Sequence, residues 1–359
     1  MKLTAKIKLQ PTPEQCDLLL KTLEEANAAC NDISLIAWNA KVFGQFSLHK
    51  LVYRDTRDKC DLCAQMVIRA IAKVADAYKI DKRTCRVFRS HGAFPYDNRT
   101  LSFKVDTQMV SIWTLKGRQH ITYQCGERQR QLLKGKRGEA DLCYVQGNFY
   151  LAVTCEVETL IQEDIGDMLG VDLGIINLAT DSDGNAFSGN DIEDKRRTFS
   201  HRRRNLQRNG SKASKRKLKQ LSGQQSRYQT NTNHVISKRI VEIAQDTNRG
   251  IALEDLKGIL DRVTVRRRQR NKHTNWSFYQ LRCFIEYKAK LAGVPVVVVD
   301  PRNTSRMCHV CGHIDKANRR IQSSFLCVSC GHSAPADYNA ALNIRARATV
   351  NTPMVAAPR

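Results

Sequence analysis

The sequence predicts a multidomain chain of mixed α+β and α/β class, with a small β-barrel into which helices are inserted, followed by an α/β domain. Three observations predict it: helical apolar spacing over residues 11–82, short alternating runs over 85–158, and strands that alternate with long helical segments from about 164 onward. With 359 residues, of which 42% are hydrophobic, the chain is long enough for two or three domains with their own cores.

The first half of the chain begins with an alternating strand and then a helix that starts at Pro13. Helical spacing continues to about residue 82, and the pair Cys60 and Cys63 in this stretch is assigned to ordinary packing on a helix. Short β-type runs follow, and the two strands within the last stretch, at 140–157, are joined by a turn at Gly147–Asn148. We expect the first strand and these runs to close into the barrel, with the helices as an insertion.

The second half predicts a ribonuclease-H-like sheet, in which three meandering strands are followed by a helical stretch and a further strand. A right-handed crossover places the strand at 250–256 beside and parallel to the strand at 168–174. The predicted elements are strands at 168–174, 176–181 and 184–188, a helical stretch at about 190–247, a strand at 250–256, an amphipathic helix that ends at Gly293, a strand at 294–300 and a final helix at 335–348.

The net charge of +24 makes a nucleic acid the default partner, because the phosphate backbone is the commonest polyanion that a basic protein meets. The longest apolar run, at 294–299, has the length of a strand, so we expect no membrane partner. The first ten residues lack the apolar region of a signal peptide. Thirteen cysteines do not form an evident disulfide framework, which favours a reducing cytoplasm.

Four cysteines carry the most specific local signal. Cys308 and Cys311 form one CxxC pair, Cys327 and Cys330 form another, and fifteen residues separate the pairs, as in a zinc ribbon. Four thiolates leave no open coordination position, so one zinc ion is expected here in a structural role.

Three carboxylates are candidates for a catalytic metal site: Asp172, Glu254 and Asp337. If their two strands are neighbours, Asp172 and Glu254 lie side by side, and the last helix can bring Asp337 to them. Three carboxylates at such short range require cations, and two Mg²⁺ ions are suited to phosphodiester hydrolysis. The alternative is that all three are ordinary strand-end, surface and helix-start residues. Asp181 and Asp183 are expected in a hairpin turn, and Asp300 at the end of a strand.

Two runs of basic residues are candidates for nucleic-acid binding. Residues 195–219 contain twelve Lys or Arg and no acidic residue, and residues 262–272 form a second run. Such runs are often solvated or disordered, but a solvated face usually mixes both signs of charge. The candidate contacts are Arg202, Arg203, Arg204, Lys215, Arg216, Lys217, Arg266, Arg267 and Arg268.

Several stretches in order along the chain resemble the TnpB family, the transposon-encoded relatives of type V CRISPR effectors. They are "LQPTPEQ", "GNFYLAV", "GVDLGI", "IALEDL", "SFYQLRCFIEYKAKLAG", "TSRMCHVCG", "CVSCGH" and "DYNAALNI". In this resemblance Asp172, Glu254 and Asp337 match the three acidic RuvC positions, and the four cysteines match the zinc ligands. The lead into the last motif, "HSAPADYN", departs from the charged sequence that is usual in the family.

The resemblance implies an RNA-guided, Mg²⁺-dependent DNA endonuclease with a guide RNA from the transposon end and a double-stranded DNA target. The alternatives are a guided DNA-binding protein or repressor that does not cut, and a transposition-associated accessory protein. The implied layout is a wedge-like barrel (1–10 and 83–164), a helical recognition domain (11–82), a RuvC nuclease domain (165–301 and 334–348), a zinc ribbon (302–333) and a disordered tail (349–359).

Overall fold

The computed structural model describes residues 1–159, 165–174, 177–188, 190–255 and 278–351. The chain divides into two compact units, Met1–Glu158 and Thr159–Arg359, and each is described by itself. Both units combine helices with a β-sheet, so the mixed α/β class predicted from the sequence is confirmed. None of the described helices is long and apolar enough to cross a membrane.

The first unit is a seven-stranded antiparallel sheet with three helices inserted after its first strand. The strand order is β2-β6-β7-β1-β5-β4-β3, so the first strand belongs to the same sheet as the later runs, as expected, and lies in its middle. Its elements are β1 (Lys2–Gln10), α1 (Pro13–Ala40), α2 (Gln45–Lys59), α3 (Ala64–Ile80), β2 (Phe94–Tyr96), β3 (Leu101–Lys104), β4 (Met109–Thr114), β5 (Gly117–Gln124), α4 (Glu127–Lys134), β6 (Arg137–Val145) and β7 (Asn148–Glu156).

Three features of this unit differ from the sequence prediction. The sheet is a half-barrel and not a closed barrel, because its edge strands β2 and β3 do not pair with each other within the described residues 1–159. The β6–β7 turn uses Gln146 and Gly147, one residue earlier than predicted, because both adopt the positive φ that a two-residue turn requires. Cys60 and Cys63 lie in the connection between α2 and α3, not on a helix.

The second unit contains a five-stranded mixed sheet of order β10-β9-β8-β11-β12. Strands β8 and β11 are parallel neighbours, which confirms the predicted pairing, and β11 also pairs in parallel with β12. The elements are β8 (Asp167–Asp172), β9 (Asn177–Asp181), β10 (Ala186–Ser188), α5 (Asn190–Asn209), α6 (Lys212–Asp246), β11 (Arg249–Glu254), α7 (Phe278–Ala292), β12 (Val296–Val299), a 3₁₀ helix (Lys316–Arg319), β13 (Ser324–Leu326), β14 (Ser333–Pro335) and α8 (Ala336–Asn351).

The single helical stretch predicted at about 190–247 is two helices. Gly210 has a φ of 66° and ends α5, while the Ser211 hydroxyl accepts a hydrogen bond from the Ser214 amide and begins α6. At the other end of the unit, α8 continues through residues 349–351, which had been assigned to the tail. Residues 352–359 lie outside the described part of the chain.

The two faces of this sheet pack against different helices. Leu169 and Val171 of β8 and Leu253 of β11 are buried against α6 and α7. Met168 and Ala252 face the other way, where they pack against Ile344 and Ala348 of α8. Side chains alternate along a strand, so Asp172 and Glu254 lie on the same face as α8.

Gly170 allows α8 to approach this face closely. A Cβ atom at Gly170 would lie 2.7 Å from the Arg345 amide nitrogen and closer still to the Ala341 carbonyl oxygen. Both are backbone atoms of α8, so neither can swing aside. The small residues Ala340 and Ala341 and this glycine together set the distance between helix and strand.

Replacement of Gly170 by Ala is therefore expected to reduce the free energy of unfolding by about 3 kcal/mol, the upper range for overpacking a core. Gly166→Ala is the matched control, because a Cβ there would meet no atom within 4 Å, and its effect should stay within about 0.5 kcal/mol. Denaturant unfolding of both variants measures the difference. Equal stability of the two variants would contradict the close approach.

Candidate functional site

The four cysteines of the two CxxC pairs converge. The Sγ atoms of Cys308 and Cys330 lie 3.7 Å apart, those of Cys311 and Cys327 lie 3.6 Å apart, and all four lie within 4.8 Å of one another. Sulfur atoms at about 2.3 Å from a tetrahedral zinc ion are about 3.8 Å from each other. The donor set and its spacing therefore fit one zinc ion.

The two cysteine turns are built in the same way. The amide of Gly312 donates to the Cys308 carbonyl at 2.9 Å, and the amide of Gly331 donates to the Cys327 carbonyl at 3.0 Å. Both glycines have a φ near 75°, which a side chain would disfavour. A hydrogen bond from the Cys330 amide lowers the pKa of the Cys327 thiol to about 6, which favours the thiolate that zinc binds.

Asp172 and Glu254 lie at the carboxyl ends of neighbouring parallel strands. The register pairs Val171 of β8 with Leu253 of β11, and one further step brings Asp172 beside Glu254. Strand β9 borders Asp172 on its other side, where Asp172 pairs with Thr180. Asp172, the carboxylate that interrupts an apolar strand, thus lies at the carboxyl ends of the parallel strands, where ligands of α/β proteins commonly bind.

Asp337 lies in the first turn of α8, as predicted. Its Oδ2 atom accepts a hydrogen bond of 3.0 Å from the Asn177 side chain, and its Oδ1 atom lies 3.2 Å from the guanidinium of Arg319. Because α8 packs directly on β8, this first turn is held near the end of that strand.

Asp172 is affected by the charges of the other two carboxylates. Burial, followed by the charges of Glu254 and Asp337, raises the pKa of Asp172 well above its usual value, and Arg319 opposes this. Burial also raises the pKa of Glu254, although the Thr304 hydroxyl and the charges of Arg347 and Arg319 act to lower it. Carboxylates that repel one another in this way are stabilised by bound cations, and oxygen donors are the ligands that Mg²⁺ prefers.

The carboxylate group is looser than the cysteine group. Among the described residues, the four cysteines are the only group of three or more His, Cys, Asp or Glu with all ligand atoms within 4.8 Å. Mutual repulsion separates unneutralised carboxylates, and ligands that share two ions about 4 Å apart need not lie so tightly together.

Two residues at this site were not predicted from the sequence. Arg319 ends the 3₁₀ helix between the cysteine pairs and reaches Asp337, while Thr304 donates a hydrogen bond to Oε1 of Glu254. Thr304 is the first residue of the stretch "TSRMCHVCG", so the sequence distinguishes its position but not its contact, while Arg319 lies in none of the distinguished stretches. Only the fold reveals the two contacts.

The three acidic residues that the sequence analysis assigned to a turn or a strand end, Asp181, Asp183 and Asp300, have structural roles. Asp181 is buried and accepts hydrogen bonds from the amides of Asp183 and Asn185, so it holds the β9–β10 turn. Asp183 pairs with Arg249, and Asp300 follows β12 and accepts from the Arg302 amide. These three positions agree with the turn and strand-end assignments made from the sequence.

The first basic run forms parts of α5 and α6, which pack against each other. Five of its six candidate residues are exposed, while Arg203 is half-buried and donates to Gln225. A cleft of about 450 Å³ between the helices is lined by Arg202 and Lys217, with the Gln220 and Gln224 amides and an apolar floor of Leu206 and Leu221. Arg266, Arg267 and Arg268 lie outside the described residues.

Two family models match the second unit and the strand that precedes it. Residues 152–258 match a family described as "Probable transposase", and residues 278–344 match "Cas12f1-like, TNB domain". The first range contains Asp172 and Glu254, and the second contains the four cysteines, Arg319 and Asp337. The residues of both predicted metal sites therefore lie within the ranges that match these two families.

The chain is also similar to individual curated proteins. The chain is 34% identical over 217 residues to the CRISPR-associated endodeoxyribonuclease Cas12f1 of Sulfoacidibacillus thermotolerans, covering 55% of this chain and 50% of that protein. It is 30% identical over 220 residues to the putative RNA-guided DNA endonuclease InsQ of Escherichia coli K12, covering 56% and 54%. The comparisons confirm the resemblance to the TnpB family. The chain spans about half the length of the curated relatives it matches.

A solved structure extends the likeness to most of the chain. The protein of a Cas12f1–sgRNA–target DNA complex aligns with a TM-score of 0.66 at 16% identity, covering 93% of this chain and 83% of that one. At this identity the likeness shows a shared fold.

Proposed function

We propose that the protein is an RNA-guided, Mg²⁺-dependent DNA endonuclease with Asp172, Glu254 and Asp337 as its catalytic metal ligands. The observation that carries the proposal is geometric: Asp172 and Glu254 end neighbouring parallel strands, and the helix that carries Asp337 in its first turn packs on the same face of the sheet. The three residues span 165 positions of the chain. Mutual repulsion within a half-buried cluster destabilises the fold, so its presence favours a role in binding cations.

Each residue of the site has a defined part in this mechanism. Asp172 and Glu254 present oxygen atoms from adjacent strand ends, and Asp337 presents its oxygens from the first turn of α8. Bound Mg²⁺ would supply Lewis acidity and lower the pKa of water for attack on phosphorus. Arg319 supplies a positive charge beside the cluster, where it can contact a phosphate oxygen of the scissile strand.

The domain layout follows from the same assignment. We propose that residues 165–301 and 334–348 form a RuvC nuclease domain of ribonuclease-H-like topology and that residues 302–333 form a structural zinc ribbon. In the first unit, the half-barrel corresponds to a wedge-like domain (1–10 and 83–164) and α1, α2 and α3 to a recognition domain (11–82).

The proposed partners are a guide RNA from the transposon end and a double-stranded DNA target. The matched relatives bear the names RNA-guided DNA endonuclease and endodeoxyribonuclease, and a solved relative of the same fold carries a guide RNA and target DNA. The exposed basic residues of α5 and α6 can bind phosphates of either nucleic acid. A non-cleaving DNA-binding protein needs no such carboxylate cluster, which favours the nuclease.

The test is plasmid cleavage by the protein purified with co-expressed flanking RNA. We expect cleavage to require both the RNA and Mg²⁺, and Glu254→Gln to reduce its rate by at least about 10³-fold, since a metal ligand is lost. Asp255→Asn is the matched control, because the neighbouring Asp255 pairs with Arg282 of α7, on the other face of the sheet. It should cleave within about threefold of the wild-type rate.

Cleavage by Glu254→Gln at the wild-type rate would overturn the catalytic assignment. RNA-dependent DNA binding without any cleavage by the wild-type protein would instead support the guided-binder alternative.

A further inference from the structure

Helix α8 carries two buried asparagines one turn apart, Asn339 and Asn343. Both side-chain amides donate to the Met307 carbonyl oxygen, at 2.8 and 2.7 Å, and Asn343 also donates to the Thr304 carbonyl oxygen at 2.8 Å. Asparagine is a poor residue for a helix interior, and a polar side chain that is buried there must be satisfied by specific partners. The two side chains fasten the segment that leads into the first cysteine pair onto α8.

Asn343 makes these contacts at the expense of its own oxygen. Its Oδ1 atom is buried and has no hydrogen-bond partner among the described residues. A buried unsatisfied polar atom is destabilising, so an apolar residue would suit the packing better. Its presence indicates that the two donated hydrogen bonds matter for the segment they hold.

Thr304, within that segment, connects it to Glu254. Its buried hydroxyl donates to Oε1 of Glu254 and also lies 3.0 Å from the Pro301 carbonyl oxygen. A hydroxyl has a single proton, and a carboxylate is the stronger of the two acceptors. The hydrogen bond fixes one oxygen of Glu254 and orients the remaining lone pairs.

The contacts form one continuous path from α8 to the strand-borne carboxylate. Asn343 holds the Thr304 backbone, and Thr304 orients Glu254, while the same helix carries Asp337 in its first turn. Asn339 extends the path toward the zinc site, because its Oδ1 atom accepts from the His309 amide next to Cys308. A single helix therefore determines where two of the three carboxylates are held.

We propose that Thr304 and Asn343 are positioning residues that place the Glu254 carboxylate relative to Asp337 for divalent-cation binding. The proposal rests on the proposed nuclease function for its biological role, but the cation binding can be measured without cleavage. Partners that orient a metal ligand commonly change metal affinity by 10- to 100-fold when they are replaced.

The experiment compares variants of the full-length, zinc-loaded chain by calorimetric titration with Mn²⁺ as the probe ion. Thr304→Val keeps the shape of the side chain and removes the hydroxyl, so we expect the Mn²⁺ dissociation constant to rise about 10-fold. Thr304→Ser restores the hydroxyl and should bind within about twofold of the wild type. Thr349→Val is the matched control, since this exposed threonine of α8 bonds only to its own helix.

Asn343→Leu provides an independent test, because it removes both donated hydrogen bonds and retains the approximate size of the side chain. We expect the same rise in the Mn²⁺ dissociation constant, with one zinc ion per chain retained. If this variant does not fold, the comparison of Thr304→Val with Thr304→Ser still tests the positioning role. Unchanged Mn²⁺ affinity in Thr304→Val, or failure of Thr304→Ser to restore it, overturns the positioning role.

The two proposals fail in different ways. If the wild-type chain cleaves RNA-matched DNA but Thr304→Val has wild-type Mn²⁺ affinity, the positioning role is wrong and the nuclease assignment stands. If the wild-type chain cleaves nothing but Thr304→Val binds Mn²⁺ 10-fold more weakly, the nuclease assignment is wrong and the positioning role stands.

Discussion

Asp172→Asn is expected to abolish DNA cleavage and, at the same time, to make the metal-free protein more stable. Cleavage should fall by at least about 10³-fold, because a metal ligand between two others is lost. Stability should rise by about 1 kcal/mol, a gain typical of relieving strain at functional sites. The physical reason for the gain is that burial and the charges of Glu254 and Asp337 raise the pKa of Asp172.

The pH dependence of the free energy of unfolding shows whether Asp172→Asn stabilises or destabilises the protein. A carboxyl group with a native pKa above its unfolded value favours the folded state at low pH, and that contribution is lost as the pH rises through the native pKa. Asp172→Asn should therefore begin to exceed the wild type in stability above about pH 4, the pKa of Asp in the unfolded chain. The difference should reach its full size above the raised native pKa. Thermal unfolding in a chelator across this range measures it as a shift of about 2–4 °C.

Two controls separate charge repulsion from a general effect. Mg²⁺ should raise the unfolding temperature of the wild type more than that of Asp172→Asn, because only the wild type keeps the full ligand set. Asp246→Asn, at the exposed end of α6, should leave both cleavage and stability unchanged. A variant with Asn at 172 that is less stable than the wild type at every pH would show that the carboxylate is a stabilising structural group.

Loss of the zinc ion is also expected to reduce cleavage strongly, although no cysteine is among the proposed ligands of the catalytic ions. Zinc binding contributes about 10–16 kcal/mol to the folding of small zinc modules, and the cysteine turns lack another large core. Without zinc, the 3₁₀ helix that carries Arg319 and the segment that carries Thr304 lose their anchor. Cleavage by Cys327→Ser should fall by at least about 10²-fold, the upper range for disrupting the partners of a metal site.

Zinc content and cleavage are measured on the same preparations. We expect one zinc ion per wild-type chain by elemental analysis and less than half of that in Cys327→Ser. Cys143→Ser is the matched control, since Cys143 is a half-buried thiol of β6 in the first unit and not part of the cluster. Full cleavage by a chain that has lost its zinc would contradict the proposed link between the cysteine turns and the carboxylates.

The features predicted best from the sequence depend on short-range chemistry. The CxxC spacing predicts the four-sulfur cluster because two thiolates on each tight turn leave little freedom in how the turns combine. The strand and helix patterns predict β8, β11 and α8 to within a few residues, since apolar periodicity reflects which face is buried. Gly210 followed by Ser211 also carries a helix-end and helix-start signal, which the sequence interpretation missed.

Features that depend on closure and contact were predicted less well. The sheet of the first unit stays open between β2 and β3, and no pattern within a single strand indicates whether a barrel closes. By contrast, the parallel pairing of β8 and β11 was predicted correctly, because two strands joined by a helical crossover lie parallel in one sheet. The hydrogen bond from Thr304 to Glu254 follows no such rule, because it joins residues fifty positions apart through a loop.

The sequence by itself determined the α/β class, the four thiolates, the positive charge and the identity of three unusual carboxylates. These properties depend on residue type and local spacing, which a chain carries before it folds. Only the tertiary structure decided that Thr304 contacts Glu254, that Arg319 contacts Asp337 and that Asn343 holds the Thr304 backbone. The reason is that interactions between charges and hydrogen-bonding groups depend on distance in space, and packing across Gly170 sets that distance.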